Sequence, residues 1–171
     1  MVLAVIPARG GSKGIPRKNV RLMHGKPLIY YSIQNARACS CIDDVVVSSD
    51  DEEILSIAAM YGVKAMNRDS ALAQDAVTLD PVIYDAVLRM EQETGKKYDV
   101  VVTLQATSPL LTVETLDGAL KSFLQSDFDT YISAVNKPHL SWTTKDGKCV
   151  PNYEKRLNRQ QLPPNYLEAG A

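Results

Sequence analysis

A short cationic loop with three glycines is the strongest chemical signal in the sequence. The stretch "IPARGGSKGIPRKN" (residues 6–19) follows an apolar run at 2–6 and holds four cations and no acid. Glycines allow consecutive backbone N–H groups to turn toward an anion, while Arg offers a bidentate fork and Lys a mobile point charge. The loop therefore predicts a phosphate-binding site, with a solvated basic loop as the alternative. The candidate contacts are Arg9, Gly10, Gly11, Lys13 and Lys18.

Two familiar phosphate loops do not match this stretch. A Walker loop needs Gly-Lys followed by Ser or Thr, whereas Gly25-Lys26 is followed by Pro27. The dinucleotide fingerprint G-x-G-x-x-G, counted from Gly10, requires a second glycine where Ser12 stands. The predicted anion site is therefore of another kind.

The charge of the chain is balanced overall but unevenly distributed. The 171 residues suit one domain with a real core, and the formal net charge is −1. Such a balance argues against a nucleic-acid-binding protein that works by bulk charge. Seven cations precede the first acid, Asp43. A basic amino-terminal quarter on an acidic body again indicates a local anion site.

Cysteine usage predicts a reducing compartment. The three cysteines, Cys39, Cys41 and Cys149, are an odd number, and no second pair or nearby histidine completes a zinc site. The apolar run at 2–6 is too short for a signal peptide or a membrane span. We expect a soluble, cytoplasmic protein with neither a membrane nor a nucleic acid as partner.

Short apolar runs alternate with segments of helical period. The runs at 2–6, 45–47 and 100–104 lack the in/out alternation of half-exposed strands, and "DTYISAV" (129–135) predicts a later strand. Apolar residues recur at helical spacing over 54–61, 79–90 and 116–123; Pro27 starts a helix to about Ala38, and Ser49 to Glu52 form a possible capping box.

This order predicts an α/β fold with a doubly wound, mainly parallel sheet. Ligands of such sheets bind beyond the carboxyl ends of the strands, which is where the cationic loop follows the first strand. The α/β domain is expected over residues 1–137. Over 138–171 the helical period is lost and a hairpin is predicted around Asp146-Gly147.

Four stretches of the chain resemble the motifs of one family. "IPARGGSKGIPRKN", "RDSALAQDAVTLD" (68–80) and "LQATSPLL" (104–111) are similar to three motifs of the CMP-sialic acid synthetases, and "NRQQLPPNYLEAGA" (158–171) is a looser match to a fourth. These enzymes are cytidylyltransferases that activate nonulosonic acids. The related Kdo-activating enzymes usually carry a Tyr-Gly-Ser-x-Arg version of the first loop, so the loop here favours the sialic-type branch.

The resemblance implies a Rossmann-like nucleotidyltransferase that reacts with CTP and releases pyrophosphate. The anomeric hydroxyl of an acidic nine-carbon sugar attacks the α-phosphate without a covalent enzyme intermediate. Catalysis is then positioning plus neutralisation of developing phosphate charge. The resemblance also implies Mg²⁺ as cofactor, a homodimer, and a dimerisation arm of which residues 138–171 form the start.

The same resemblance assigns roles to individual residues. Arg9 and Lys13 are the implied catalytic residues, and Lys13 stabilises charge during transfer. The implied nucleotide contacts are Gly10, Gly11, Ser12, Lys18, Asn19, Arg68 and Thr78, and the implied sugar contacts are Gln105, Ser108 and Arg159.

Structural alternatives stand beside four of these positions. Arg68 could be a surface arginine, Thr78 a helix N-cap, and Gln105 a residue whose hydrogen bonds are satisfied within its own loop. Asp75, in the second motif, is as well explained by loop stabilisation as by ligand contact.

The fourth motif departs from the family pattern. Asn158 and Gln161 stand where an arginine and an aspartate are common, while Leu167 and Ala169 replace a frequent arginine and asparagine. Sugar identity therefore stays open among N-acetylneuraminic, legionaminic, pseudaminic and related acids.

The family's Asp-x-Asp segment for Mg²⁺ is expected beyond residue 171, and no metal ligand is assigned within the chain. Asp50 and Asp51 are expected to cap a helix instead. The alternatives to the main hypothesis are a nucleotidylyltransferase for a Kdo-like sugar and a nucleotide-binding fragment without turnover.

Overall fold

The computed structural model describes residues 1–169. Contacts divide them into two compact units, Met1–Tyr131 and the residues from Ile132 onward. In chain order the elements are β1 (Val2–Pro7), β2 (Leu22–Met23), β3 (Lys26–Pro27), α1 (Leu28–Ala38), β4 (Asp44–Ser49), α2 (Glu52–Met60), β5 (Lys64–Asn67), α3 (Leu79–Thr94), β6 (Val100–Thr103), α4 (Val113–Leu124), β7 (Ala134–Asn136), β8 (Trp142–Lys145), β9 (Lys148–Pro151) and β10 (Tyr166–Glu168).

A four-stranded parallel sheet forms the centre of the first unit, in the order β5-β4-β1-β6. The three continuous apolar runs became β1, β4 and β6, as predicted. Leu3, Ala4, Val5 and Ile6 of β1 are fully buried, because this strand is paired on both edges and covered on both faces.

Helices cover both faces of the sheet, which confirms the doubly wound α/β prediction. Ile33 of α1, Ile54 of α2 and Leu120 of α4 pack with Ala4 on one face. On the other face, Ala86 and Met90 of α3 pack with Leu3 and Val5. Because successive side chains of β1 point to opposite faces of the sheet, they contribute to two separate hydrophobic cores.

Three details of the predicted elements were wrong. The run 129–135 contributes no strand to the parallel sheet; residues 134–136 form β7, which is exposed and pairs antiparallel with β10. β5 was missed because only Met66 of its four residues is buried. The capping box at Ser49 does not form, since Ser49 ends β4 and Asp51 is the N-cap of α2.

The second unit contains two antiparallel pairs, β7 with β10 and β8 with β9. The β8–β9 hairpin turns at Asp146 (φ 51°) and Gly147 (φ 73°), as predicted from this Asp-Gly pair. Positive φ at both central residues matches the twist of the flanking strands.

The cysteines form no disulfide within the described residues. Cys39, Cys41 and Cys149 are free thiols. Among the helices of residues 1–169, none is long and apolar enough to cross a membrane.

Candidate functional site

A cleft of about 740 Å³ opens at the carboxyl end of the parallel sheet. Its walls are the loop after β1, the segment between β5 and α3, and the residues that follow β6. The loop therefore lies at the predicted ligand-binding edge, since β1 is parallel to both of its neighbours. The cleft brings together eight predicted site residues: Arg9, Ser12, Lys13, Lys18, Asn19, Arg68, Thr78 and Gln105.

Two loop cations share one carboxylate at this cleft. Arg9 Nη1 donates to Asp75 Oδ1 at 2.8 Å, and Lys13 Nζ lies 2.5 Å from Asp75 Oδ2. Hydrogen bonds from Lys13 and then Arg9 hold the pKa of Asp75 below its ordinary value. Sequence reasoning left Asp75 between a loop role and a ligand role, whereas the structure shows it paired with both implied catalytic cations.

A third loop cation is turned to a different partner. Arg17 has left-handed backbone geometry (φ 53°), and its guanidinium contacts the carboxylates of Asp51, the N-cap of α2, and of Glu53 in the first turn of that helix. These bonds, Asp51 first, raise the pKa of Arg17. Arg17 is not among the residues that line the cleft, so it fastens the loop to α2. The sequence signal available for this contact was the acidic start of α2.

The loop backbone is held to the same region. Gly10 N donates to Asp50 Oδ1 at 3.0 Å, so Asp50 contacts the loop and does not cap α2 as expected. Asp51 does cap it, accepting from the backbone N–H groups of Glu53 and Ile54 at 3.0 and 3.2 Å. A Cβ added at Gly10 would stand 2.6 Å from Asp51 Oδ2, which explains the need for glycine at this close approach.

Lys18 and Asn19 sit at the base of the loop, in a short 3-10 helix. Lys18 lines the cleft and has no ion pair within residues 1–169, so it is the loop cation available for an incoming anion. Asn19 is buried, and its Nδ2 donates to the carbonyl of Arg9 at 3.0 Å. Asn19 thereby sets the path of the chain beside Arg9.

Arg68 is buried rather than on the surface, with 6% of its area exposed. Its Nη2 donates to the Ser48 carbonyl at 2.7 Å and its Nε to Ser48 Oγ at 3.2 Å. Burial lowers the pKa of Arg68 from its ordinary value, yet arginine keeps its charge at neutral pH. Arg68 lines the cleft and has no salt bridge in the described part of the chain, so a positive charge faces the cleft from this side.

Thr78 occupies the N-cap position of α3, as its structural alternative predicted, but its side chain makes no capping hydrogen bond. Val77, Thr78 and Leu79 line the cleft, so the amino end of this 16-residue helix borders it. Unsatisfied N–H groups and the helix dipole favour an anion at such a position.

Gln105 lines the opposite wall, directly after β6. Its backbone carbonyl accepts from the N–H of Ser108 at 3.2 Å, which fixes a tight turn. Within residues 1–169 its side-chain amide makes no hydrogen bond, so satisfaction inside the loop does not account for it. The amide is positioned to contact a ligand in the cleft.

Four predicted site residues do not line this cleft: Gly10, Gly11, Ser108 and Arg159. Arg159 belongs to the second unit, where it lines a separate cavity of about 480 Å³ with Lys137, His139 and apolar side chains. The last two residues of the fourth motif, Gly170 and Ala171, lie outside the described residues.

The acidic side chains of the described residues are the candidate metal ligands. Over residues 1–169, no group of three or more His, Cys, Asp or Glu side chains could hold a metal ion. The acids nearest the loop are occupied: Asp75 pairs with Arg9 and Lys13, and Asp51 pairs with Arg17.

The chemistry of the cleft follows from its charges. Arg9, Lys13, Lys18 and Arg68 surround a space large enough for a nucleotide, and the amino end of α3 adds N–H donors. Such an arrangement can bind a polyanion and can stabilise negative charge that develops on it. The neutral side-chain amide of Gln105, on the opposite wall of the cleft, can make directional hydrogen bonds to a ligand.

Comparison with known proteins gives a family for this arrangement. The model of the cytidylyltransferase family matches residues 3–168. Pseudaminic acid cytidylyltransferase from Campylobacter jejuni is 47% identical over 125 residues, which are 72% of this chain and 53% of that enzyme. N-acylneuraminate cytidylyltransferase A from Danio rerio is 34% identical over 151 residues, 86% of this chain and 34% of that enzyme. The chain thus spans about half the length, or less, of these relatives.

Among solved structures, the chain is similar to CMP:2-keto-3-deoxy-manno-octonic acid synthetase complexed with CTP. The TM-score is 0.63 at 18% identity, over 99% of this chain and 71% of that one. At this identity the likeness establishes the shared fold alone.

Proposed function

The chain belongs to the cytidylyltransferase family, and from this premise we propose that the protein transfers a cytidylyl group from CTP to a nonulosonic acid of the sialic type. The products are the CMP-sugar and pyrophosphate. The observation that carries the proposal is the cleft at the carboxyl end of β1, where Arg9, Lys13, Lys18 and Arg68 converge.

Each of these residues has a place in the reaction. The anomeric hydroxyl of the sugar attacks the α-phosphorus and loses its proton to solvent. The bond from that phosphorus to the bridging oxygen breaks, and pyrophosphate leaves with the bonding electrons. Negative charge grows on the leaving group, where Lys13 and Arg9 are proposed to neutralise it. Lys18 and Arg68 hold the nucleotide, and Gln105 orients the acceptor.

The acceptor class rests on the sequence relatives. The Campylobacter enzyme acts, by its name, on pseudaminic acid, and the zebrafish enzyme on N-acylneuraminate. Both are nonulosonic acids, so we propose this class for the present protein and pseudaminic acid as the first acceptor to test.

Three further parts of the proposal concern the whole protein. Mg²⁺ is proposed as cofactor on the family resemblance. A homodimer through the second unit is supported by its exposed Trp142, Tyr166 and Leu167. Three free thiols support a cytoplasmic location.

Pyrophosphate release tests the proposed function. The protein is incubated with Mg²⁺, CTP and, in turn, pseudaminic, N,N'-diacetyllegionaminic and N-acetylneuraminic acid, and Kdo. We expect release with at least one nonulosonic acid, with CTP preferred over UTP and ATP. Release with Kdo alone would support the Kdo-type alternative. CTP binding by calorimetry without release from any sugar would instead identify a nucleotide-binding module. Sedimentation velocity tests the dimer, which a strict monomer at high concentration would overturn.

A further inference from the structure

We propose that Asp75 is an internal competitor for the phosphates of the nucleotide. Its carboxylate pairs with Arg9 and Lys13, and a triphosphate must displace it to take the same N–H donors. This inference rests on the proposed function, because it assumes that these two cations hold the phosphates.

The contacts are those of an anion in its binding site. Asp75 presents one oxygen to Arg9 at 2.8 Å and the other to Lys13 at 2.5 Å. Charge-assisted hydrogen bonds to a phosphate oxygen have the same length, so a phosphate competes with the carboxylate for the N–H donors that Asp75 occupies. The negative charges of the phosphate and of the Asp75 carboxylate would also repel each other if both contacted the same cation.

The ion pairs of Asp75 with Arg9 and Lys13 are exposed, so a ligand can displace the carboxylate. Asp75 lies between the 3-10 turn Ser70–Ala73 and α3, and its side chain is 51% exposed; that of Lys13 is 74% exposed. Exposed ion pairs contribute little to stability, so a ligand of higher charge can replace this one. Among the residues that line the cleft in the described chain, Asp75 is the only acid.

Two other acids near the loop, Asp51 and Glu53, do not compete in this way. Asp51 and Glu53 hold Arg17, away from the lining of the cleft, and Asp51 also caps α2. Their removal would loosen the loop, whereas removal of Asp75 would liberate the two cations that face the ligand. Asp75 thus keeps the cations ordered between turnovers and favours ligands that carry more than one negative charge.

Calorimetric titration with inorganic tripolyphosphate and with CTP, both in EDTA, tests the inference without turnover. We expect Asp75→Asn to bind tripolyphosphate about 3- to 10-fold more tightly than the wild type, since two exposed ion pairs no longer have to be broken. Asp75→Ala, which also removes the remaining oxygen acceptor, should show at least the same gain. Asp127→Asn is the matched control, because it removes the same charge from an exposed residue that does not line the cleft, and it should change affinity less than twofold.

A double-mutant cycle tests whether the gain in tripolyphosphate affinity comes from the release of Lys13. In a Lys13→Met background the effect of Asp75→Asn should shrink to less than half on a logarithmic scale, because only Arg9 is left to liberate. Unchanged or weaker binding in both Asp75 variants, with thermal unfolding showing that they are folded, would overturn the inference alone. A wild type that binds neither CTP nor tripolyphosphate would overturn the proposed function together with it.

Discussion

Arg17 Nη1 lies 3.0 Å from Asp51 Oδ2, although 34 positions separate the two residues in the chain. Burial of Asp51 by itself would raise the pKa of its carboxyl, but the bonds from Arg17 and from the first N–H groups of α2 lower it. One carboxylate thus caps a helix and fastens the loop that borders the cleft. The position of the loop is therefore set by α2.

Loss of this contact should weaken nucleotide binding without removing a cleft residue. We expect Arg17→Ala to raise the Kd for CTP by about 3- to 10-fold, because the loop must then be ordered by the ligand. Arg21→Ala removes an equal charge from an exposed neighbour without a side-chain ion pair among the described residues, and should leave Kd within twofold. Equal effects of the two changes would show that overall charge, rather than the tether, is responsible.

Gly10 and Gly14 should differ sharply in their tolerance of a methyl group. Alanine at position 10 places Cβ 2.6 Å from Asp51 Oδ2, while position 14 has open space. Gly10→Ala should lower the free energy of unfolding by about 1–3 kcal/mol, as overpacking does, and weaken CTP binding. Gly14→Ala should stay within about 0.5 kcal/mol of the wild type. Urea unfolding measures both; an unaffected Gly10→Ala would mean that the loop moves away at no cost.

Substitutions of Lys13 and of Gln105 should change different kinetic constants. Lys13→Ala removes charge from the position where the leaving pyrophosphate becomes negative, so kcat should fall on the order of 10²–10³. Gln105→Ala removes a neutral contact, so KM for the sugar should rise while CTP binding stays nearly intact. Steady-state kinetics with each substrate varied separates the two, and equal losses of CTP affinity would show that the acceptor side is wrongly assigned.

The three cysteines should react with a thiol reagent in order of accessibility. Burial, as the largest cause, raises the pKa of Cys39 to about 11, and its Sγ donates to Asp117 Oδ1 at 3.1 Å. At pH 8 its thiolate is scarce, whereas Cys149 is exposed. In native protein, 5,5'-dithiobis(2-nitrobenzoate) should modify Cys149 quickly and Cys39 only on unfolding. Rapid modification of Cys39 in a Cys149→Ser variant would contradict its placement.

Asp117 should contribute stability that is lost in acid. Hydrogen bonds from Lys121, Cys39 and Ser40 lower the pKa of its carboxyl. A depressed folded pKa means that the contribution is complete above the unfolded value of 3.8 and declines as the pH falls below it. Asp117→Asn should therefore lower Tm more at pH 7 than at pH 3. The exposed Asp127→Asn serves as control, and a pH-independent loss for Asp117→Asn would point to packing.

The sequence predicted what depends on local pattern. Continuous apolar runs predicted β1, β4 and β6, and helical spacing predicted α2, α3 and α4, because burial on both faces or along one stripe constrains residue type. The start of α1 was predicted from Pro27. β5 escaped because its Lys-Ala-Met-Asn run has no such pattern and only Met66 is buried. The run 129–135 resembled a buried strand, yet its neighbourhood is exposed.

The place of the site was predictable, but its internal pairing was not. A glycine-rich cationic loop after a buried parallel strand must lie at the carboxyl edge of the sheet. Nothing local connects Arg9 to Asp75, which are 66 positions apart, or Gly10 to Asp50, which are 40 apart. Those contacts are set by how α2 and α3 pack, which the sequence pattern of the loop does not encode.

The separation between the loop and its anchors has a consequence for synthesis on the ribosome. The loop is translated before every acid that holds it: Asp50 follows Gly10 by 40 positions and Asp75 follows Arg9 by 66. At roughly 5–20 residues per second the wait is about 2–8 s for Asp50 and about 3–13 s for Asp75. Throughout that interval the nascent chain carries a flexible cationic segment that has not yet met its counter-ions. We expect cellular polyanions to compete for this segment during translation, before its carboxylate partners have been made.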